Sequence, residues 1–464
     1  MTTRVLDTDS RALRPRGRTW ILRLELRRST APLAGGLSLV LGLLSLLYLF
    51  SGFGSPFSQW TGFTAALRST LEIVCPVALA VGAWQGRRAA RPGAAELIST
   101  TARPAWQRVL PTAGALALAP TAAFLVLFAF GAVQVSVNTP YQHLGWLPAM
   151  LVGVLALIAS AWLGLGIGTV APSVFTTPLL AAFGLITLRT LAYGVSGRSM
   201  LLGPGLDLRD DFSTLAASVS WGQLLWFGGL AAGGLVLAMA HGRRRYLAVA
   251  VIAIGLAGSL PLLPPNRYET YLADAAAAAP VCTADAPRVC VAKVHAPSLA
   301  AFTGLGREAL RRLAPLADAP KSVEEDTTSS WAPEVKSQAS DVLLVQVHAG
   351  ELDAKSHLTI SDEKLLNRML QGAGTVQCGD PEGSYDYLDR AEAERSTRQF
   401  TARVLSAALL LGKPTPDFQY VHQAAQLWPA LHALPAAEQQ RRLSALRTAF
   451  LACQPDALHL LTQG

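Results

Sequence analysis

The stretch AGGLSLVLGLLSLLYLFSGF, residues 34–53, decides the fold, because its twenty residues include no charged side chain. A helix needs about twenty consecutive apolar residues to cross the hydrocarbon core of a bilayer. Similar runs recur as far as residue 264, whereas residues 265–464 have the mixed composition of a soluble domain. The sequence therefore predicts a polytopic α-helical membrane domain followed by a mixed α+β soluble domain.

Seven membrane spans are predicted within the apolar half. They cover residues 34–53, 68–86, 109–133, 145–168, 174–193, 221–240 and 246–264. A basic tail, residues 1–32, precedes them, and the length of the first apolar run favours a span over a cleavable signal peptide. The segment 194–220 is too long and polar for a simple turn, so a short surface helix is expected there. The chain thus divides into the tail, a membrane domain (33–264) and a C-terminal domain (265–464).

Basic residues are distributed unevenly among the predicted connections, and this asymmetry predicts the orientation. Arginines crowd the tail, the loop after the second span and the turn between the last two spans: Arg4, Arg11, Arg14, Arg16, Arg18, Arg23, Arg27, Arg28, Arg87, Arg88, Arg91, Arg103, Arg108, Arg243, Arg244 and Arg245. The connections after the first and third spans are nearly free of Arg and Lys. Because cytoplasmic loops carry an excess of basic residues, we predict a multi-pass protein of the cell membrane, with a cytoplasmic N-terminus and an extracytoplasmic C-terminal domain.

The charge composition is that of a membrane protein. Only 15% of the residues are charged, against about 25% in a typical soluble domain. The acids between residues 33 and 264 are Glu72, Glu96, Asp207, Asp210 and Asp211. The net charge of +8 comes largely from arginines that cluster in the predicted cytoplasmic segments. This placement argues against nucleic-acid binding.

The cysteines give an independent indication of the compartment. Cys282, Cys290, Cys378 and Cys453 lie in the C-terminal domain, and Cys75 lies in the second predicted span. An even number of cysteines suits disulfides in an oxidising compartment. Of the three possible pairings, we favour Cys282–Cys290 with Cys378–Cys453. A metal site is the alternative, but the spacings lack a close C-x-x-C pair, and no metal is expected.

Two predicted cytoplasmic segments are distinctive. TWILRLELRRS, residues 19–29, mixes apolar residues with arginines, as in a basic amphipathic helix that lies in the membrane interface. A plain basic flank is the alternative. AWQGRRAARPGAAELISTTARPAWQR, residues 83–108, is the only sizeable internal cytoplasmic loop. It is either a solvated connection or a short helix held between two spans, and its Arg103–Pro104 step disfavours helix before the proline.

These segments resemble the permease subunits of ABC transporters of the type-2 exporter class, in the divergent form of GC-rich bacteria. The resemblance covers roughly residues 15–264 and lies in LRLELRRSTAP before the first span and AWQGRR…ELISTTARPAWQR after the second. In that family an elbow helix and the loop between spans two and three contact the ATPase subunit. By this resemblance the ATPase-contact candidates are Trp20, Arg23, Arg27, Glu96, Leu97, Arg103 and Trp106.

The resemblance also implies partners, and the chain differs from the family in two respects. It implies a cytoplasmic ATPase subunit, a second permease that is identical or paralogous, and membrane lipid around both. The chain contains no G-x-x-x-x-G-K-[ST] motif, so ATP hydrolysis would belong to the partner, and no cofactor is expected. The family core has six spans and usually lacks a large C-terminal domain. The seventh span is therefore interpreted as an anchor for an accessory domain.

Ionisable residues inside predicted spans are candidates for function. Arg68 and Glu72 lie four residues apart near the outer end of the second span, which predicts pairing on one helix face. They are also the candidates for a substrate pathway. Arg189 is expected to snorkel towards the outer interface. Gly164, Gly166 and Gly168 are expected to permit close helix packing.

The C-terminal domain shows both strand and helix patterns. Strands are predicted at residues 289–294 and 342–348, helices at 304–316, 396–411 and 435–453, and a loop at 327–338. The candidate catalytic histidines are His295, His348, His357, His422 and His432. Because neither H-E-x-x-H nor G-x-S-x-G occurs, structural roles are favoured for them. The acids Asp380, Glu382, Asp386 and Asp389 read as a solvated surface rather than a calcium loop.

Three functions remain open at this point. The favoured one is the permease subunit of an ATP-driven exporter, not itself an enzyme. The alternative is a membrane-anchored extracytoplasmic binding or sensor protein. The third is a membrane enzyme that acts on lipid or peptide, which clustered acids or histidines at one membrane depth would support. The sequence shows no such cluster.

Overall fold

The structure, a computed structural model, describes most of the chain. The described residues are 25–27, 29–53, 59–91, 104–192, 197–206, 211–266, 269–328, 338–376, 390–454 and 456–463. Helices predominate throughout this part of the chain. Up to residue 266 they form an apolar bundle, and from residue 269 they surround a small sheet in the C-terminal domain.

The helices of the bundle match the predicted spans in position. They are α1 (Ala31–Phe53), α2 (Trp60–Ser69), α3 (Leu71–Ala89), α4 (Ala105–Asn138), α5 (Trp146–Val170), α6 (Thr176–Ala192), α7 (Gly197–Leu201), α8 (Ala217–Met239) and α9 (Tyr246–Ser259). Each of the seven predicted spans overlaps at least one of them, and the second overlaps both α2 and α3. The short α7 lies in the 194–220 segment, where a surface helix was expected.

Not every helix of the bundle is long enough to cross a membrane. Helices α1, α4, α5 and α8 have the required length and composition, and α2 with α3 adds a fifth span if the bent pair counts as one. Helices α6 and α9 contain 17 and 14 residues. At a rise of about 1.5 Å per residue they fall short of a hydrocarbon core about 30 Å thick. Among the described residues, four or five spans therefore have membrane length, and seven remains a prediction.

A bend of 41° separates α2 from α3. At the junction, the hydroxyl of Thr70 donates a hydrogen bond to the carbonyl of Leu67 at 2.7 Å. Hydroxyl bonds to a carbonyl in the preceding helical turn are a recognised cause of helix bending. The second predicted span, which began at residue 68, therefore starts instead with a separate helix whose axis differs from that of α3.

Glycines bring the backbones of α3, α5 and α8 into direct contact. A Cβ added at Gly164 of α5 would lie 1.9 Å from the carbonyl oxygen of Leu79, and one at Gly82 of α3 would lie 2.2 Å from that of Ala161. Both distances are shorter than any real non-bonded contact of a Cβ atom. Further close approaches occur at Gly86, Gly168, Gly166 and Gly234. As in other membrane helix pairs, small residues spaced four apart permit this packing.

Replacing Gly164 by alanine is expected to destabilise the bundle by about 3 kcal/mol, near the upper end of the cost of overpacking. The added methyl group cannot be accommodated unless α3 and α5 separate. Gly228→Ala is the matched control, because a Cβ at Gly228 of α8 meets no atom within 4 Å. Thermal unfolding of both variants in mild detergent measures the difference. Equal midpoints for the two variants would contradict the packing described above.

The C-terminal domain is a mixed α+β structure. Its strands are β2 (Tyr271–Ala273), β3 (Pro280–Cys282), β4 (Val289–Ala292), β5 (Ser322–Glu325) and β6 (Val342–Val345). Its helices are α10 (Leu299–Leu313), α11 (Asp362–Leu370), α12 (Arg390–Leu411), α13 (His422–His432), α14 (Ala436–Leu451) and α15 (Leu458–Thr462). The prediction of two strands and three helices is confirmed, apart from shifts at their ends.

The sheet has the order β3-β4-β5-β6, with β3 antiparallel to β4 and the other neighbours parallel. Helix α10 connects β4 to β5 and packs on the sheet, where a Cβ at Gly306 would meet Val323 at 3.2 Å. One hydrophobic core joins the sheet to the helices; it includes Val289, Phe302, Leu313, Val323, Leu343, Leu365, Leu405, Leu446 and Phe450. The domain thus has a core of its own, separate from the apolar bundle.

One disulfide links Cys282 of β3 to Cys290 of β4, as predicted. This bond excludes the alternative of a metal site for these two residues. Cys453 is also disulfide-bonded, whereas its predicted partner Cys378 lies outside the described residues. Cys75 is free and buried in α3.

Candidate functional site

The candidate ATPase contacts are only partly described. Trp20, Arg23, Glu96, Leu97 and Arg103 lie outside the described residues, as do the acids Asp380, Glu382, Asp386 and Asp389. Arg27 and Trp106 are described, and both are exposed. Trp106 lies in the first turn of α4, which begins directly after Pro104. Its indole ring is therefore available to a partner at the arginine-rich end of the bundle.

The predicted pairing of Arg68 with Glu72 is wrong. Arg68, in α2, is fully buried; its Nε donates to the carbonyl of Pro204 at 2.8 Å and its Nη2 to Oε1 of Gln223 at 2.9 Å. Glu72, in α3, instead forms an ion pair with Arg189 of α6 at 2.8 Å. The bend at Thr70 explains the difference, because it disrupts the continuous helix on which residues four apart share a face.

The residues around Arg68 hold a segment across the end of the bundle. Gln223 of α8 donates from Nε2 to the carbonyls of Leu201 and Gly203, at 2.8 and 3.2 Å. The hydroxyl of Ser69 donates to the carbonyl of Leu206 at 3.1 Å. The bend between α2 and α3 is therefore bound to the segment 201–206, at the end that faces the C-terminal domain.

A buried histidine between two carboxylates joins the bundle to the C-terminal domain. His295 follows β4; its Nδ1 lies 2.6 Å from Oε1 of Glu325 in β5, and its Nε2 lies 3.2 Å from Oδ2 of Asp211. Asp211 precedes β1 (Ser213–Leu215), which belongs to the bundle side. The other oxygen of Glu325 accepts the backbone N–H of Ala292 at 2.7 Å. We call Asp211, His295 and Glu325 the interdomain triad.

The triad favours a charged imidazole. Burial by itself lowers the pKa of His295, but the hydrogen bonds and negative charges of Asp211 and Glu325 outweigh it and raise the pKa to about 10. Both ring nitrogens then carry a proton and donate to a carboxylate. Because His295 is only 2% exposed, this arrangement is suited to holding two domains together rather than to turning over a substrate.

Further contacts surround the triad. Strand β1 pairs with β2 in antiparallel register, with Thr214 opposite Leu272. Gln59, just before α2, donates from Nε2 to the carbonyl of Val294 at 3.0 Å. The hydroxyl of Tyr141, after α4, donates to both carboxylate oxygens of Asp274, at 3.0 and 3.1 Å. The C-terminal domain is thus attached to the ends of several helices, including the start of the bent pair α2–α3.

A polar cavity of about 600 Å³ opens within the C-terminal domain. Its wall includes an ion pair between Glu351 and Arg368, and Asp417, whose Oδ2 accepts hydrogen bonds from Asn367 and Gln371 at 2.6 and 2.8 Å. Burial favours the neutral form of Glu351, but hydrogen bonds from Arg368 and His348 lower its pKa to about 2. The cavity is polar and charged, and its size would admit a small hydrophilic molecule.

The remaining predicted histidines do not form a catalytic group with His295. His348 and His357 are exposed beside Glu351 and Asp353, and His422 and His432 are exposed on α13. Among the described residues, no group of three His, Cys, Asp or Glu side chains is arranged to hold a metal ion. Of the five histidines, His295 is the one whose hydrogen bonds link the C-terminal domain to the bundle side, through Asp211.

Comparisons of the chain with protein-family models, with curated proteins and with solved structures find no match.

Proposed function

We propose that the chain is the membrane-spanning permease subunit of an ATP-driven ABC exporter and works with a separate cytoplasmic ATPase. The observation that carries this proposal is the connectivity of α3. The first residues of α3 adjoin the bend between α2 and α3, which Arg68 and Ser69 bind to the segment 201–206. The last residues of α3 lead into the loop that resembles the ATPase-contact loop of that family. A displacement of the loop by an ATPase would thus be transmitted by α3 to the opposite end of the bundle.

The packing of α3 suits this role. Its backbone touches that of α5 at Gly82 and Gly86, and α5 touches α8 at Gly166. Packed backbones cannot be compressed, so a displacement of α3 would move its neighbours as a unit. The bend at Thr70 and the interdomain triad lie at the far end of this unit. The C-terminal domain would therefore respond to the state of the ATPase.

In the proposed orientation the chain crosses the membrane seven times, with the N-terminus in the cytoplasm. The arginines Arg87, Arg88 and Arg108 at the junction of α3 and α4, with Arg243–Arg245 before α9, support a cytoplasmic location for that end of the bundle. The disulfide Cys282–Cys290 supports an oxidising compartment for the C-terminal domain. Short helices such as α6 and α9 are accommodated by local thinning of the bilayer at modest cost.

A second permease subunit is part of the proposal. None of the described residues of α6 is buried, and Leu179, Phe183 and Ile186 are each more than 60% exposed. Such an apolar face requires lipid or another subunit to cover it. An identical or paralogous chain on this face would complete a transport pathway between two bundles.

The proposal predicts that an ATPase co-purifies with the tagged chain from its native membrane and depends on the loop after α3. Replacing residues 96–103 by a Gly/Ser linker of equal length is expected to reduce the bound ATPase at least tenfold, because the contact surface is removed. Quantitative mass spectrometry of the purified complex measures the ratio. Trp221→Ala is the control, since Trp221 is 63% exposed at the opposite end of α8.

Two results would count against the permease. One is the absence of any stoichiometric ATPase; the other is an ATPase whose binding is indifferent to the linker. Either result would favour the alternative, a membrane-anchored extracytoplasmic binding or sensor protein. The polar cavity near Asp417 and Arg368 is the observation that supports this second function. A small hydrophilic ligand that protects α11 from hydrogen exchange would then identify the cavity as a binding site.

A further inference from the structure

A second cavity, of about 400 Å³, lies at the arginine-rich end of the bundle, between the ends of α3, α4, α5 and α8. Its walls are mostly apolar and include Ala90, Val109, Leu165 and Ala238. Its basic side chains are Arg108, His241 and Arg245. The cavity thus combines an apolar interior with a cationic rim, which is the combination that an amphiphilic anion requires.

The described lining of this cavity includes two arginines, Arg108 and Arg245. Among the described residues that line it, none is acidic. Arg108 and Arg245 are half-buried, and Nε of Arg245 donates to the carbonyl of Ala240 at 3.3 Å, which orients the guanidinium. Concentrated positive charge with low-dielectric walls attracts an anion more strongly than the same charge in bulk water.

Aromatic side chains indicate the depth of the cavity in the membrane. Trp106, near the start of α4, is 49% exposed, and Tyr246, at the start of α9, is 74% exposed. Trp84, near the end of α3, is 38% exposed. Exposed Trp and Tyr are enriched at the level of the lipid headgroups. Each of these three residues lies within five positions of a residue that lines the cavity, which supports a position of the cavity at headgroup level.

We propose that this cavity binds the phosphate headgroup of an anionic phospholipid from the cytoplasmic leaflet. Arg108 and Arg245 hold the phosphate, as basic pockets between membrane helices do. The first carbons of an acyl chain occupy the apolar interior, and the chains continue outside along exposed residues that neighbour the arginines in sequence, such as Leu110 and Leu247. This site rests on the proposed orientation of the chain, but it requires neither an ATPase nor transport.

The test measures lipid binding to the full chain, purified in mild detergent and stripped of lipid. Dioleoyl phosphatidylglycerol is titrated in and the bound fraction is read by native mass spectrometry. The double variant Arg108→Gln/Arg245→Gln is expected to bind about 30-fold more weakly, from about fivefold for each arginine. Arg441→Gln is the control: it removes an exposed arginine from the C-terminal domain, away from the cavity, and is expected to bind like the unchanged protein.

Three comparisons decide the outcome. The double variant Arg108→Lys/Arg245→Lys keeps both positive charges, so lipid binding close to that of the unchanged protein supports the site. Equal thermal unfolding midpoints of all variants exclude misfolding as the cause of weaker binding. Phosphatidylcholine binding as tightly as phosphatidylglycerol would overturn the proposal. So would full displacement of the lipid by millimolar inorganic phosphate, which would identify a site for free phosphate.

A protein occupant is the remaining outcome. If phosphatidylglycerol does not bind and the double glutamine variant instead loses the co-purifying ATPase, the cavity is a protein contact and the lipid site is wrong. Failure of the permease proposal leaves a different signature. In that case no ATPase co-purifies with any variant, while the dependence of lipid binding on Arg108 and Arg245 persists.

Discussion

His295→Gln is expected to loosen the C-terminal domain from the bundle, with a loss of about 3–5 kcal/mol of interface stability, the usual cost of removing one partner of a buried ion pair. In the unchanged protein the imidazolium donates to Glu325 at 2.6 Å and to Asp211 at 3.2 Å, and all three side chains are buried. Glutamine has a similar size but no charge, so two carboxylates would remain buried without a cation between them.

Hydrogen exchange of the full chain in detergent measures this effect at the interface. Peptides that contain β1 and β2 are expected to exchange faster in His295→Gln, because the pairing of Thr214 with Leu272 lies beside the triad. His459→Gln is the control, since His459 is exposed near the chain end. Unchanged protection of β1 and β2 in His295→Gln would show that the triad does not hold the domains together.

The triad also predicts how the interface responds to pH. The ordinary pKa of histidine is 6.5, and that of His295 is raised to about 10. A raised pKa means that the folded state binds the proton more tightly than the unfolded state. The stabilisation by His295 is therefore complete below about pH 6.5 and is lost progressively as the pH rises to about 10. Protection of β1 and β2, corrected for intrinsic exchange, should fall over this range, and His295→Gln should abolish the dependence.

Much of the bundle could be predicted from sequence because long apolar runs have few alternative structures. The run from residue 34 to 53 and the helix α1 nearly coincide. The pairing of Arg68 with Glu72 was wrongly predicted, because the helix bends by 41° beside Thr70 and no apolar pattern indicates the bend. The length of α9 was likewise overestimated, because apolar residues continue beyond its end at Ser259.

The interdomain triad could not be predicted for a different reason. Asp211 lies 84 positions from His295, and Glu325 lies 30 positions beyond it, so only the tertiary fold brings them together. His295 was recognised as a histidine at the end of a predicted strand, and Asp211 as one of few acids in the apolar half. Neither observation indicates a contact. The three-residue strands β1 and β2 are also too short for an alternating pattern to be detected.

Arg447→Met is expected to unfold the C-terminal domain while the bundle remains folded. Arg447, in α14, is fully buried and donates to four backbone carbonyls, those of Asp318, Ser340, Ala373 and Gly374, at 2.7 to 3.1 Å. Burial lowers the pKa of its guanidinium, and the carbonyl dipoles stabilise the charge that remains. These bonds connect the end of α10, the start of β6 and the turn after α11 to α14.

Methionine fills a similar volume but removes the guanidinium that donates to all four carbonyls, although the carbonyl of Gly374 keeps a longer bond from Nε2 of Gln338 at 3.3 Å. A hydrogen bond to a charged group contributes about 1.5–3 kcal/mol, so the loss is expected to exceed about 5 kcal/mol, which is comparable to the whole stability of a domain. Arg441→Met, on the exposed side of the same helix, is the control and should unfold like the unchanged protein. Hydrogen exchange under non-reducing conditions distinguishes the two domains, since α14 should lose protection and α5 should keep it. Protection of α14 in Arg447→Met would show that the carbonyls find other donors.

If the domain unfolds and the ATPase still co-purifies, the bundle alone carries the ATPase contact, and the C-terminal domain acts after ATPase binding rather than in assembly.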